Sequence, residues 1–180
     1  MSFECVAYSV AGLKRFHEWK NVHRWLDFDP HALYLECKRT DGYPNVNGTM
    51  PRSAMDVLRT VGMTGSDGQS YKIASYARQD SIEGIKQAIV DEGPVVIGLR
   101  IDVAQFNALS NAELSATQLA HVSGHCMLIV GYDDALQAFR VRNSWGETWG
   151  DSGHLWLAYD YLRTVDPDFD AWSTFDEVNA

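Results

Sequence analysis

The chain has 180 residues, of which 46% are hydrophobic and 22% are charged. This composition is typical of a globular protein, and the length fits one domain or two small lobes, so a disordered chain and a large multidomain assembly are excluded. Fifteen basic and twenty-four acidic residues give a formal charge of −9. That charge repels phosphate backbones and anionic bilayers, so we expect neither nucleic-acid nor membrane partners.

The cysteine content bears on the compartment. Cys5, Cys37 and Cys126 are an odd number at wide spacings, which is a poor disulfide framework and fits a reducing environment. Residues 1–4 lack the basic start of a secretory signal, and no apolar run approaches the roughly 18 residues that span a bilayer. The sequence therefore predicts a cytoplasmic protein, unless an upstream signal has been removed.

The first half of the chain predicts mainly helices. Four patterns with apolar residues three and four apart succeed one another: Cys5 to about Trp19, a second from Pro30, a third from about Pro51 to Gly62, and a fourth with Ile82, Ile85 and Ile89. Asp29 before Pro30 is a typical N-cap followed by a first-turn proline. We expect this helical lobe to cover residues 1–92.

The second half predicts mainly strands. Short apolar or alternating runs occupy Val95–Leu99, His125–Tyr132, Phe139–Arg142 and Leu155–Leu157, each next to a turn or a glycine break. Residues 160–180 hold six acids and one arginine, which favours a solvated tail. We expect a β-rich lobe over residues 93–180, with a groove between the two lobes.

Three short segments carry residue types that suggest chemistry. They are Cys5-Val6-Ala7-Tyr8-Ser9, Asn47-Gly48-Thr49-Met50-Pro51, and a region in which Gly124-His125 precedes Asn143-Ser144-Trp145-Gly146 and Trp149-Gly150. In type and order they resemble the papain-like cysteine peptidases, and the chain is similar to a bacterial-type short form that is truncated or divergent at its N-terminus. Val6 stands where the family has an aromatic residue, and Thr49 where it has a second glycine.

The resemblance implies an α+β fold with two lobes, a helical left lobe and an antiparallel, β-barrel-like right lobe. It also implies that Cys5 is the nucleophile, that His125 is its partner and that Asn143 orients the imidazole, with Trp145 shielding the bond between them. A thiol needs help to ionise at neutral pH, and a helix N-terminus together with an imidazolium would supply it. Peptide bonds would then be cleaved through a thioester.

The substrate implied by the resemblance is a peptide or protein, and no cofactor is required. Gly48 and Thr49 would pair with its backbone, and Trp149 would line the leaving-group side. The resemblance also implies an apolar pocket for the second residue before the cut, lined by Met50, Pro51 and Cys126. His121 and His125 are four apart, the spacing of a metal-binding pair on a helix, but Gly124 and the strand that follows argue against a helix here, so we expect no metal site.

Two departures keep other functions open. Phe3 occupies a place where the family has a glycine that gives the substrate room. The family's oxyanion-hole Gln lies about six residues before the nucleophile, and this chain has only four residues there, so a partner chain or a missing segment would have to supply the donor. The alternatives are a catalytically inactive papain-like binding module and a thioester-forming amidase or ligase.

Overall fold

The computed structural model describes residues 3–107, 113–115 and 119–176. Its helices are α1 (Cys5–Val22), α2 (Pro30–Thr40), α3 (Pro51–Thr60), α4 (Ile82–Asp91) and α5 (Val103–Asn107), with a π-helical turn at Tyr161–Val165. Its strands are β1 (Met63–Thr64), β2 (Ser70–Tyr71), β3 (Ile73–Gln79), β4 (Val95–Asp102), β5 (Glu113–Leu114), β6 (Val122–Asp133), β7 (Ala138–Arg142), β8 (His154–Ala158) and β9 (Asp170–Asp176). No helix in the described ranges is both long and apolar enough to cross a membrane.

Local sequence explains where the first helices begin and end. The Asp29 side chain accepts hydrogen bonds from the backbone N–H groups of His31 and Ala32, so the predicted N-cap of α2 is confirmed. Pro51 occupies the first turn of α3, and Gly62 follows that helix with a φ of 90°, a left-handed conformation that glycine adopts without strain. All four predicted helices are present.

Seven strands form one sheet in the order β3-β9-β4-β6-β7-β8-β5. All its pairings are antiparallel except that of β5 with β8. Within the described residues the sheet has two edges and does not close on itself. The α+β class is therefore confirmed, whereas the barrel-like right lobe is replaced by an open sheet.

The predicted solvated tail is wrong. Residues 170–176 form β9, which lies between β3 and β4, and its residues 171–174 are buried. Two of the acids that suggested a tail, Asp170 and Asp176, are the first and last residues of this strand. Ser173 and Thr174 are buried polar residues that periodicity alone does not reveal. Ser173 accepts a hydrogen bond from the Gln79 amide, 2.8 Å away, which satisfies its hydroxyl within the sheet.

Two apolar clusters form the core. The first joins helices α1, α2 and α3 with residues of β4, β6 and β9, including Cys126 and Leu128. The second fills the other face of the sheet and includes Ile85 and Ala88 of α4. Because α4 and β3 pack with the sheet although both precede residue 93, the two halves of the chain interlock, and the boundary at residue 92 stays a prediction.

A buried ion network fixes α1 to β9. Lys14 is fully buried and forms ion pairs with Glu18, at 2.8 Å, and with Asp176. Asn21 donates a further hydrogen bond to Asp176 at 2.7 Å. A buried ammonium needs paired carboxylates to offset its desolvation, and here both are provided. The network therefore holds the helix that begins at Cys5 in a fixed position against the sheet.

Candidate active site

Cys5 is the first residue of α1 and is half-buried. The Ser9 hydroxyl donates a hydrogen bond to the Cys5 carbonyl at 2.9 Å within this first turn. The backbone N–H of Cys126 on β6 lies near the Cys5 thiol and acts to lower its pKa. Since Cys126 follows His125 directly, the start of α1 lies against the part of β6 that carries the histidine.

His125 is held by Asn143, the residue that follows β7. Both side chains are buried, and the distance between His125 Nε2 and Asn143 Oδ1 is 2.9 Å. The backbone N–H of Ser144 also donates to Oδ1, at 2.8 Å, which identifies this atom as the amide oxygen. An oxygen can only accept here, so Nε2 carries the proton and a neutral His125 keeps Nδ1 as its free base.

An aromatic cluster encloses the imidazole. The ring of Trp145 lies 5.1 Å from that of His125, and the ring of Phe106 lies 5.4 Å away in an edge-on arrangement. Trp149 stacks on Phe106 at 5.0 Å. Sequence reasoning missed Phe106, because no motif surrounds it and α5 is only five residues long. These rings keep water from the bond between His125 and Asn143.

A groove of about 810 Å³ opens beside these groups. The predicted residues that line it are Cys5, His125, Gly48, Thr49, Met50, Pro51, Cys126 and Trp145. Phe3 also lines the groove and is 56% exposed. Asn143 lies behind His125, and Trp149 lies behind Trp145, so neither belongs to this lining. A contact between Trp149 and a leaving group stays a prediction.

Comparison with known proteins gives the family. The family model for papain family cysteine proteases matches residues 40–166, a range that includes His125 and Asn143 but begins after Cys5. The chain belongs to the papain family of cysteine proteases. This finding confirms the resemblance from which the site residues were predicted.

Two curated relatives show how much of the chain is similar to known proteins. The chain is 31% identical to "Gamete and mating-type specific protein A" of Dictyostelium discoideum over 67% of its own length and 24% of that protein. It is 25% identical to cathepsin K of Mus musculus over 86% of its length and 53% of that protein. The chain therefore spans about a quarter of the first of these relatives and about half of the second.

Solved structures support the fold. Xylellain, a cysteine protease from Xylella fastidiosa, superposes with a TM-score of 0.82 at 23% identity, covering 97% of this chain and 80% of that one. The Amb a 11 cysteine protease of ragweed, in its proform, gives a TM-score of 0.78 at 15% identity over 97% and 60% of the two chains. At these identities the likeness concerns the papain-like fold.

Burial shifts the pKa values of Cys5 and His125 in the directions that disfavour an ion pair between them. It raises the pKa of the Cys5 thiol, although the backbone N–H groups of Cys126 and Val6 partly oppose the shift. It lowers the pKa of His125, against the effect of the bond to Asn143. Both directions favour a neutral thiol beside a neutral imidazole, which differs from the thiolate–imidazolium pair that the family resemblance implies.

The loop that contains Gly48 and Thr49 is anchored by charges that the sequence did not reveal. Asp41 pairs with Lys38 at 2.8 Å and accepts the Thr49 hydroxyl at 3.0 Å. Lys38 also donates to the Gly48 carbonyl at 3.0 Å. Gly48 has a φ of 85°, which glycine adopts without strain. Thr49 therefore replaces the family's second glycine with a residue that ties the loop to α2.

The other two thiols are buried. Cys37 lies in the first core cluster, and burial together with the charge of Asp41 raises its pKa to about 12. Burial also raises the pKa of Cys126 well above the ordinary range. Cys5 is therefore the most accessible thiol of the three. Among the described residues, no group of three or more His, Cys, Asp or Glu side chains is arranged to hold a metal ion.

Proposed function

We propose that this papain-family protein is a cysteine peptidase in which Cys5 attacks the peptide carbonyl, with His125 as general base and Asn143 as the group that orients it. The observation that carries the proposal is the shared groove: Cys5 and His125 both line it, and the Cys5 thiol lies near the backbone N–H that follows His125. With Nε2 bonded to Asn143, the free Nδ1 of His125 would take the thiol proton as the carbon–sulfur bond forms.

The thioester would then be hydrolysed in the second half of the cycle. The proton on Nδ1 of His125 would pass to the leaving amine, and the restored base would activate a water molecule that attacks the thioester and frees Cys5. The backbone N–H of Cys5, at the start of α1, would be one oxyanion donor. A second oxyanion donor contributes roughly 10²–10³ in rate.

A partner chain or a further segment would supply that second donor. A cavity of about 740 Å³ is lined by Tyr8 and Ser9 of α1 and by Asn143 and Ser144. It could seat an extended segment close to the start of α1, which is where an oxyanion donor has to act. Such a segment would raise the turnover number without changing which thiol reacts.

The sequence leaves two other functions open, and the structure adds an observation that favours the first. Phe3 in the groove and the raised pKa of Cys5 favour a module that binds peptides without cleaving them. A thioester could also be resolved by an amine in place of water, which would make the protein an amidase or ligase.

The deciding experiment follows peptide cleavage by mass spectrometry, with and without an added amine, in the wild type and in the Cys5→Ala, His125→Ala and Cys37→Ala variants. The peptidase proposal expects hydrolysis products that disappear in the first two variants and persist in the third. Amide adducts that form at the expense of acid would indicate ligase chemistry. Tight peptide binding with no product in any of the four proteins would leave only the binding module.

A further inference from the structure

The part of the groove beyond Cys126 is a pocket whose floor is a glycine. Gly98 on β4 pairs with Cys126 on β6 and with Asp170 on β9, so the three residues lie side by side on one face of the sheet. A Cβ atom at Gly98 would lie 3.1 Å from Pro51 Cγ and 3.6 Å from Asp170 Cβ. The absence of a side chain at Gly98 therefore creates the space between Pro51 and Asp170.

Asp170 presents an acidic group to this space. Its side chain is half-buried, and its Oδ1 accepts a hydrogen bond from the Trp172 indole at 2.8 Å, which fixes the orientation of the carboxylate. Oδ2 has no partner among the described residues. The charge of Asp170 contributes to the raised pKa of Cys126. The carboxylate is therefore close to the wall that leads from the pocket to Cys5.

The charges along the groove are unbalanced. Four aspartates and one arginine line it: Asp41, Asp166, Asp168, Asp170 and Arg100. Asp41 is paired with Lys38, and Asp166 is paired with Arg100 at 2.7 Å. Neither Asp168, which is exposed, nor Asp170 forms an ion pair with another described residue. This end of the groove therefore has negative potential that a cationic ligand would neutralise.

The pocket walls suit an apolar stem. Pro51, Met50 and Cys126 line the way from Cys5 towards Asp170. Lysine and arginine have aliphatic stems that pack on apolar surface while the charged head reaches a polar partner. A hydrophobic side chain would fill the same walls but would leave the Asp170 carboxylate partly desolvated without a partner, which is unfavourable.

We propose that the groove selects peptides with a lysine or arginine two residues before the scissile bond, with Asp170 as the residue that determines this specificity. The inference rests on the proposed peptidase function for the position of the bond, and it replaces the simple hydrophobic preference that the family resemblance implied. Asp168, at the exposed rim, would strengthen the preference by a smaller amount because solvent screens its charge.

The experiment measures binding apart from turnover. Capped tetrapeptide amides that differ at one position, with arginine, lysine, glutamine or norleucine, are titrated into the Cys5→Ala variant by calorimetry. We expect arginine and lysine to bind roughly tenfold more tightly than norleucine, the range for a partly buried charge pair. Added salt should reduce this ratio. Equal binding of arginine and norleucine would overturn the inference.

Variants made in the same Cys5→Ala background identify the responsible group. Asp170→Asn should reduce the preference for arginine over norleucine to about threefold or less. Asp168→Asn should reduce this preference by a smaller factor. Asp80→Asn, an equal charge change outside the groove, should leave the preference intact. Gly98→Ala should weaken both arginine and norleucine peptides, since it fills the pocket. A preference that survives Asp170→Asn in a folded protein, or undiminished binding by Gly98→Ala, would contradict the proposal.

Turnover of the same peptides by the wild type separates the two proposals. Cleavage without a basic preference would refute the role of Asp170 and leave the peptidase standing. Asp170-dependent binding of basic peptides without any cleavage would support the pocket and refute the peptidase.

Discussion

The bond between His125 and Asn143 can be tested by removing the amide. In the Asn143→Ala variant, the buried His125 Nε2–H loses its acceptor at 2.9 Å and the Ser144 N–H loses one at 2.8 Å. An unsatisfied buried donor costs about 1–3 kcal/mol. Because the Ser144 group is only partly buried, we expect the free energy of unfolding to fall by about 2–4 kcal/mol, measured by urea titration with tryptophan fluorescence.

The same change alters the titration of His125. Asn143 raises the pKa of this imidazole, while burial lowers it by more, so the Asn143→Ala variant should lower the His125 pKa further. A neutral buried histidine contributes stability that is complete above its unfolded pKa of about 6.5 and is lost as the pH falls towards the folded pKa. The variant should therefore lose more stability than the wild type between pH 6.5 and pH 5.

NMR of ¹⁵N-histidine measures this pKa directly. Asn143→Asp should raise the His125 pKa, because a carboxylate beside the ring favours the imidazolium. Ser144→Ala is the matched control, since it leaves both bonds to Asn143 Oδ1 in place. An unchanged His125 pKa in Asn143→Ala, or a neutral wild-type ring protonated on Nδ1, would refute this reading of the site.

Two further predictions concern the supports of the groove. Lys14→Met should reduce the free energy of unfolding by about 3–5 kcal/mol in urea titrations, because Glu18 and Asp176 would remain buried without the lysine ammonium. A loss below about 1 kcal/mol would contradict a structural role for the network. Thr49→Val removes the hydroxyl that bonds Asp41 and should raise the KM for a peptide several-fold in steady-state kinetics with little change in kcat; a fall confined to kcat would show that the loop serves chemistry instead of binding.

Much of the architecture follows from local sequence signals. The Asp29 N-cap, the proline of α3 and the apolar runs of β4 and β6 are visible as short patterns, and the structure confirms each of them. β9 was missed because its buried Ser173 and Thr174 are satisfied by residues far away in sequence, among them Gln79. A strand with buried polar residues in the interior of a sheet gives no alternating signal.

The residues of the candidate site were likewise predicted only in part from the sequence. Family motifs predicted Cys5, His125 and Asn143, and the described residues bring Cys5 and His125 to one groove. Phe106 reaches His125 through a ring contact from α5, and the Asp170 pocket depends on the pairing of β4 with β9, so no local sequence pattern predicts either. Lys38 and Asp41 are three residues apart at the end of a helix, a spacing from which an ion pair can be predicted. The hydrogen bond from Thr49 to Asp41 cannot be predicted in this way, because it depends on how the loop folds back onto the helix.

The central claim is that Cys5 reacts with the help of His125, and alkylation of the thiol tests it most directly. Iodoacetamide labelling of wild type, His125→Ala and Cys5→Ala is followed from pH 5 to pH 10 by mass spectrometry of the labelled cysteine. The Cys5 pKa is raised and the His125 pKa is lowered. We therefore expect the labelling rate of Cys5 in the wild type to keep rising with pH beyond the pH range in which an ordinary thiol ionises.

At pH 7 the wild type should react at Cys5 about 10²-fold faster than His125→Ala, the lower end of the usual contribution of a general base. Cys37 and Cys126 should stay unlabelled in the folded protein because both are buried. Equal rates at Cys5 with and without the imidazole, across the whole pH range, would contradict the account.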